Sequence, residues 1–352
     1  MDKKILDLYS DYLISSNHLT TATGLSDVLD NEISHDKITR FLSKETFTSI
    51  ELWKLVKPTV RKFETTKGGA LIFDDTVQEK LYTDENEIIS WHYSHALGKV
   101  VKGLNILSSI VAYESGTFPV GFEVIKKDVT FCDLFTCKEK RVSSKSKNEL
   151  FRSMYEVNLK NVKFDYVLVD SWFSAKENLE MVHKSKKIFI AGVKSNRTIA
   201  TSLENKLKGK FIQINQLSSL DSNPIEVYLK GIEFPMKLMK KVFKNEDESE
   251  GILYLITNEM KKNGEQIYEI YQKRWKIEVY HKSIKSNAAL KKSPTKTVRT
   301  QTNHIFSSIY AYFKLETIGL ATGLNHFALK YKIIVKANMA SMKELQRLAS
   351  LA

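Results

Sequence analysis

The order of apolar runs between residues 68 and 193 is the feature that most constrains the fold of this chain. Three apolar runs come first, in "GGALIFDD", "GLNILSSIVAY" and "FPVGFEVI", and Gly116 and Pro119 mark the turn between the last two. A helical stretch at about 146–160 follows, then the run "FDYVLVDSWF", a second helical stretch and the run "KIFIAGVK". Strands mixed with helices in this order predict an α/β sheet with helices covering its faces.

Acidic side chains close two of these predicted strands. Asp74 and Asp75 end the first apolar run, and Asp170 lies near the end of the fourth. Carboxylates at strand ends lie where α/β sheets usually bind their ligands. If the two strands are neighbours, we expect these acids to lie close together.

The segments that flank this region are predicted to be helical. Residues 1–66 contain several short helical stretches, and Ser34 is a good N-cap for one of them. That helix carries Lys37, Arg40 and Lys44, so the pair of helices joined by a turn predicts a helix-turn-helix-like DNA-binding domain. The alternative is a small helical bundle with solvated cations.

The predicted secondary structure of the second half of the chain changes twice. Short alternating runs at about 195–250 predict a β-rich insertion that ends in an exposed loop at "KNEDESEG". A long helix is expected at about 264–285, and the remainder of the chain is predicted to be helical. The expected domains are therefore 1–66, 67–290 and 291–352.

The charge of the chain favours a polyanionic partner. The formal net charge is +13, from 54 Lys and Arg against 41 Asp and Glu. Nucleic acid is the first candidate, and an acidic membrane surface is the second.

No run of eighteen apolar residues and no secretory signal is present, so we expect no membrane association and a cytoplasmic location. Cys132 and Cys137 fit no zinc-site spacing and are expected to be reduced thiols.

A single carboxylate, Glu278, lies within the most basic part of the chain. Residues 271–300 hold nine Lys or Arg and no other acid. At about 100° per residue, one helix edge is expected to carry Tyr271, Arg274, Glu278, Lys282 and Lys285. One interpretation is an ordinary helix pair between Glu278 and Arg274 or Lys282, worth about 0.2–0.5 kcal/mol.

The other interpretation joins Glu278 to the acids at the strand ends. Three converging carboxylates would suit two hard divalent cations, Mg²⁺ or Mn²⁺, because these ions prefer oxygen ligands. Two such ions held close together activate an attacking oxygen and stabilise a leaving oxygen on phosphorus. The surrounding cations would then bind a phosphate backbone.

These motifs resemble those of a known family. Tyr271-x2-Arg274-x3-Glu278-x6-Lys285 is similar to the Y-R-E-K signature of DDE transposases of insertion sequence family four. "IFDDT" and "LVDSWF" resemble the segments that carry the family's two aspartates. The resemblance implies a ribonuclease-H-like mixed sheet flanked by helices, with the β-rich insertion before the glutamate.

The resemblance also implies a role for each matching residue. Asp74, Asp170 and Glu278 would hold two Mg²⁺ or Mn²⁺ ions, and Asp75 is the alternative to Asp74, because some members place the acid directly before Thr. Residues expected to contact DNA are Tyr271, Arg274, Trp275 and Lys285, with Lys282 added from its helix face. Trp275 would stack on DNA at the transposon end, whereas Trp172 and Phe173 are expected to be core aromatics.

The function implied is cleavage of double-stranded DNA at inverted-repeat ends and strand transfer into target DNA. The protein is expected to act as a homodimer on DNA and to be nucleoid-associated when it is bound there. Two alternatives stay open: a nuclease or resolvase of the same fold, and a non-catalytic DNA-binding protein derived from a transposase.

His92 and His95 are expected in a loop and not in a metal site, and His281 is a weak candidate for a phosphate contact.

Overall fold

The computed structural model describes residues 1–64, 68–94, 97–217, 220–244 and 246–351. The helices are α1 Lys3–Ser15, α2 Ala22–Val28, α3 His35–Ser43, α4 Ser49–Phe63, α5 Lys147–Asn161, α6 Lys176–Lys184, α7 Leu203–Leu207, α8 Gly264–Gln272, α9 Trp275–Ser286, α10 Val298–Thr322 and α11 His326–Ala349. The strands are β1 Gly69–Glu79, β2 Ser90–Ser94, β3 Lys99–Ala112, β4 Thr117–Val124, β5 Val129–Asp133, β6 Lys138–Val142, β7 Phe164–Val169, β8 Ile188–Val193, β9 Thr198–Ala200, β10 Ile212–Gln213, β11 Ile225–Leu229, β12 Met236–Lys244 and β13 Glu250–Thr257.

Five strands form the centre of a large mixed sheet, in the order β4, β3, β1, β7, β8. β3 is antiparallel to both β1 and β4, whereas β7 is parallel to both β1 and β8. Helices flank this sheet, which confirms the predicted α/β class and is consistent with a ribonuclease-H-like fold. The apolar runs form these strands because side chains on both faces are buried by the flanking helices.

The predicted insertion is β-rich and continues the central sheet. β13 pairs antiparallel with β8, and β12, β11, β9 and β10 follow in that order. The described residues of the acidic loop, 246–249, are exposed turns, as the sequence predicted.

The amino-terminal helices pack on the carboxy-terminal helix α10. Tyr9 in α1 is hydrogen-bonded through its hydroxyl to the Nδ1 atom of His304, at 2.9 Å. The buried Asn303 side chain accepts a hydrogen bond from the Phe47 backbone N–H at 2.8 Å. The two ends of the chain therefore share one buried core, although they are distant in sequence.

The helix pair that resembles a helix-turn-helix is present as α2 and α3. Ser34 caps α3 as predicted, with the Lys37 N–H donating to its Oγ at 3.4 Å. DNA binding by this pair stays a prediction. So do the domain boundaries, and the first of them, between residues 66 and 67, lies outside the described residues.

Two local predictions were wrong, and one hairpin was not predicted. His92 lies in β2, paired with Val101 of β3, and not in a loop; His95 lies outside the described residues. The hairpin of β5 and β6, which carries Cys132, was not predicted. Both cysteines are exposed free thiols.

The second wrong prediction concerns the long helix expected at 264–285, which is two helices. Around Lys273 and Arg274 the backbone forms i→i−3 hydrogen bonds, from Lys273 N to the Ile270 carbonyl and from Arg274 N to the Tyr271 carbonyl. This tighter turn ends α8 and starts α9. Tyr271 and Glu278 are therefore on different helices, so the single helix face inferred from the sequence does not include Tyr271.

Among the described helices, none combines the length and the apolar character needed to cross a membrane.

We expect Asn303→Ala to destabilise the contact between the two ends of the chain. The Asn303 amide also donates to the carbonyls of Leu42 and Glu45, at 2.8 and 2.6 Å. Its removal leaves a buried Phe47 N–H without its partner, at a cost of about 1–3 kcal/mol in the free energy of unfolding. Urea unfolding measures this change. Asn196→Ala, at an exposed position, is the control, and equal stability of the two variants would contradict the prediction.

Candidate active site

A cavity of about 250 Å³ opens where β1 and β7 separate. Its walls include Asp74, Asp170, Arg274, Glu278, His281 and Lys285. The three carboxylates that were predicted to converge from distant parts of the chain therefore line one cavity.

The sheet places two of these acids at the point where one ladder ends. The parallel pairing of β1 with β7 covers only Gly69–Ile72, and β7 ends at Val169, directly before Asp170. Asp74 therefore lies just beyond the ladder, beside the open end of β7. The expectation that β1 ends at the acids was wrong, because β1 stays paired with β3 as far as Glu79.

Asp74 and Asp75 point in different directions because successive side chains of a strand lie on opposite faces. The Asp75 carboxylate accepts a hydrogen bond from the Lys147 ammonium at 2.7 Å. A carboxylate oxygen of Asp74 lies 3.5 Å from the Arg274 guanidinium, on the side of Glu278. This geometry favours Asp74 over Asp75 as the partner of Glu278.

Arg274 lies between two of the carboxylates. Its guanidinium is 3.5 Å from Asp74 and 3.4 Å from Glu278. The ordinary helix pair between Arg274 and Glu278 is therefore present, and the same cation also reaches the acid of β1. One arrangement therefore contains both the helix pair of the first interpretation and the convergence of acids on which the second depends.

Burial disturbs the ionisation of Asp74 and Asp170. Burial raises the pKa of Asp74 to about 8, with further contributions from Asp170 and Glu278, while Arg274 acts in the opposite direction. Burial also raises the pKa of Asp170, against hydrogen bonds from the backbone N–H groups of Trp172 and Phe173. Carboxyl groups whose pKa values are raised by burial and neighbouring charges are typical of functional centres.

His281 also belongs to this cluster, although the sequence indicated it only as a weak candidate for a phosphate contact. One ring nitrogen of His281 and one carboxylate oxygen each of Asp74 and Glu278 lie within 4.8 Å of one another. Oxygen and imidazole donors at such spacing could hold a divalent metal ion. The signal was available, because a Glu and a His three residues apart on a helix project from the same face.

The other residues that were expected to contact DNA lie in different environments. Tyr271 is buried beneath the cavity, with its hydroxyl donating to the Val169 carbonyl at 3.4 Å, a geometry that does not favour a phosphate contact. Lys285 lines the cavity and donates to the Val77 carbonyl at 2.8 Å. Lys282 lies over the ring of Phe327, 5.2 Å from its centroid, so it is directed towards α11.

Two tryptophans near the site are accessible. The Trp275 side chain is 65% exposed, which disfavours simple packing against a neighbouring helix. Trp172 is 48% exposed and lines the cavity, with the Lys147 ammonium 5.2 Å from its ring centroid. The expectation that Trp172 is a core residue was wrong, whereas Phe173 is fully buried as predicted.

Comparison with known protein families agrees with this geometry. Residues 2–206, more than half of the chain, match the family of DDE superfamily endonucleases. The chain belongs to the DDE superfamily endonucleases. Residues 143–314 also match the transposase DDE domain. Comparison with curated proteins gave no match.

The two matches together include every carboxylate of the cavity. Asp74 and Asp170 lie within the endonuclease match, and Asp170 and Glu278 lie within the transposase match. They support a transposase-type nuclease function for this DDE superfamily endonuclease.

We expect Asp74→Asn to stabilise the metal-free protein increasingly as the pH rises. The folded-state pKa of about 8 exceeds the ordinary value of 3.8, so folding favours the protonated carboxyl. That contribution is fully present below the ordinary value and is lost as the pH rises through about 8. A carboxamide cannot ionise, so the variant should gain on the order of 1–3 kcal/mol over the wild type near pH 9.

Thermal unfolding in EDTA between about pH 5 and pH 9 measures this difference. Asp84→Asn, at an exposed loop position, is the matched control and should show no such trend. A stability difference for Asp74→Asn that is independent of pH would contradict the assignment.

Proposed function

We propose that this chain is a transposase of the insertion sequence family four type. It would cut double-stranded DNA at the inverted-repeat ends of an element and join the freed 3′-OH to target DNA. The observation that carries the proposal is the convergence of Asp74, Asp170 and Glu278 in one cavity with Arg274 and Lys285. The family match alone supports only nuclease chemistry of the transposase type.

The donor set of the cavity fits divalent cations. Asp74, Asp170 and Glu278 would hold two Mg²⁺ or Mn²⁺ ions, because carboxylate oxygens are the ligands that these ions prefer. When bound, such ions activate an attacking oxygen and stabilise a leaving oxygen in an in-line displacement on phosphorus. Arg274 now compensates part of the negative charge that the ions would otherwise balance.

Both chemical steps fit one site. In the first, water attacks the phosphorus, the new P–O bond forms and the bond to the 3′ oxygen breaks, which leaves a 3′-OH. In the second, that hydroxyl attacks a phosphorus of the target strand and displaces another 3′ oxygen. Arg274 and Lys285, which line the cavity, would bind the phosphate oxygens on which charge develops.

DNA would be held by the residues around the cavity. Trp275 is exposed on the first turn of α9, where it can stack on a base at about 1–3 kcal/mol. We add Trp172 to the DNA-binding residues because it is exposed at the cavity wall. Lys282 and Tyr271 are weaker candidates for DNA contact, because Tyr271 is buried and the Lys282 ammonium lies over the ring of Phe327.

The helices α2 and α3 would supply a second DNA contact, through Lys37, Arg40 and Lys44. Since two element ends must be joined, the active form on DNA is proposed to be a homodimer. The net charge of +13 supports binding to a polyanion of this kind.

Cleavage of an end-containing duplex tests the proposal. The wild-type protein is incubated with Mg²⁺ or Mn²⁺ and DNA that carries its inverted repeat and flanking sequence. We expect cleavage at the end and joined products, and we expect Glu278→Gln to lower the rate by about 10³-fold or more, because a metal ligand is lost. Glu269→Gln, an exposed position on α8, is the matched control and should retain the wild-type rate.

Other results of the same assay favour the alternatives. Nicking without preference for the end, and without joined products, would favour a nuclease or resolvase. Binding without cleavage, unchanged by Glu278→Gln, would favour a non-catalytic DNA-binding protein.

A further inference from the structure

The buried imidazole of His281 has no evident partner for one of its nitrogens. The residue is 5% exposed and lines the cavity, and its Nε2 atom is buried with no hydrogen-bond partner among the described residues. An unpaired polar atom in the interior costs about 1–3 kcal/mol. Such an atom at the wall of a site indicates that something else completes its coordination or hydrogen bonding.

The helix that carries His281 also carries Glu278, one turn earlier. Because α9 brings residues i and i+3 to one face, the imidazole and the carboxylate project together towards β1. Asp74 of β1 faces them, and the three donor atoms lie within 4.8 Å of one another. Pairs of Glu and His at this spacing, on helices that face other carboxylates, form metal sites in other folds.

The surroundings of the imidazole favour a cation over a phosphate. The residue is only 5% exposed, which leaves little room for a phosphate group to approach. The carboxylates of Asp74 and Glu278 that face the ring would repel a phosphate and attract a cation.

We propose that His281 is a protein ligand to one of the divalent ions, together with Asp74 and Glu278. This inference rests on the proposed function, which supplies the metal site but does not include a nitrogen ligand. Imidazole suits transition metals better than it suits Mg²⁺. The mixed set of two carboxylates and one imidazole therefore makes this position bind Mn²⁺ more tightly than Mg²⁺.

His92 provides a contrast within the same region. It is buried in β2, and its Nε2 atom also lacks a hydrogen-bond partner among the described residues. It is absent from the group of donor atoms formed by Asp74, Glu278 and His281. A histidine signal from bound Mn²⁺ would therefore arise from His281 and not from His92.

Pulsed electron paramagnetic resonance of Mn²⁺ bound to the full chain without DNA tests this assignment directly. We expect ¹⁴N modulation from a coordinated imidazole in the wild type, and its replacement by the ¹⁵N pattern after labelling with ¹⁵N-histidine. His281→Gln should abolish the modulation and weaken Mn²⁺ binding by at least about tenfold, with a smaller effect on Mg²⁺ binding. His92→Gln is the matched control and should keep the modulation.

The wild-type spectrum decides the question even if His281→Gln does not fold. Bound Mn²⁺ without ¹⁴N modulation, or modulation that persists in folded His281→Gln, would overturn the ligand assignment and leave the proposed transposase function intact. Failure of the wild type to bind Mn²⁺ at all would overturn both.

Discussion

The crowding of three partly buried carboxylates in one cavity is the constraint on which the site depends. Asp74, Asp170 and Glu278 line one small cavity, and Arg274 is the cation that contacts two of them directly. The raised pKa of Asp74 reflects burial and these like charges. A fold that brings such groups together gains stability elsewhere, here from the continuous core that joins the sheet to α10. A divalent cation bound there would relieve the repulsion among these carboxylates.

Much of the fold could be predicted because apolar runs and their order are visible in the sequence. The central strands and the helices between them follow from this pattern, and Asp170 follows the strand β7 as expected. Short or polar elements could not be recognised in the same way. β2 contains only five residues, with exposed Trp91 and Tyr93 alternating with buried neighbours. No Gly or Pro marks the break at Lys273, so the sequence favours one long helix there.

The site could be predicted only in part, because charge in a sequence does not reveal what each cation contacts. Several cations of the basic stretch donate to backbone carbonyls, among them Lys285 to Val77, Lys292 to Ser16 and Arg299 to Ser43. These residues join helices to neighbouring elements as well as making the region basic. His281 was a weak candidate in the sequence for a different reason, since a helix face described by its Lys, Arg, Asp and Glu residues leaves out a histidine.

Anomalous X-ray scattering from crystals grown with Mn²⁺ tests the central claim most directly. The account predicts an anomalous peak inside the cavity, bound by carboxylate oxygens of Asp74 and Glu278 after the Arg274 guanidinium has moved away from them. Arg274 that still pairs with both acids in saturating Mn²⁺, with no peak in the cavity, would contradict it.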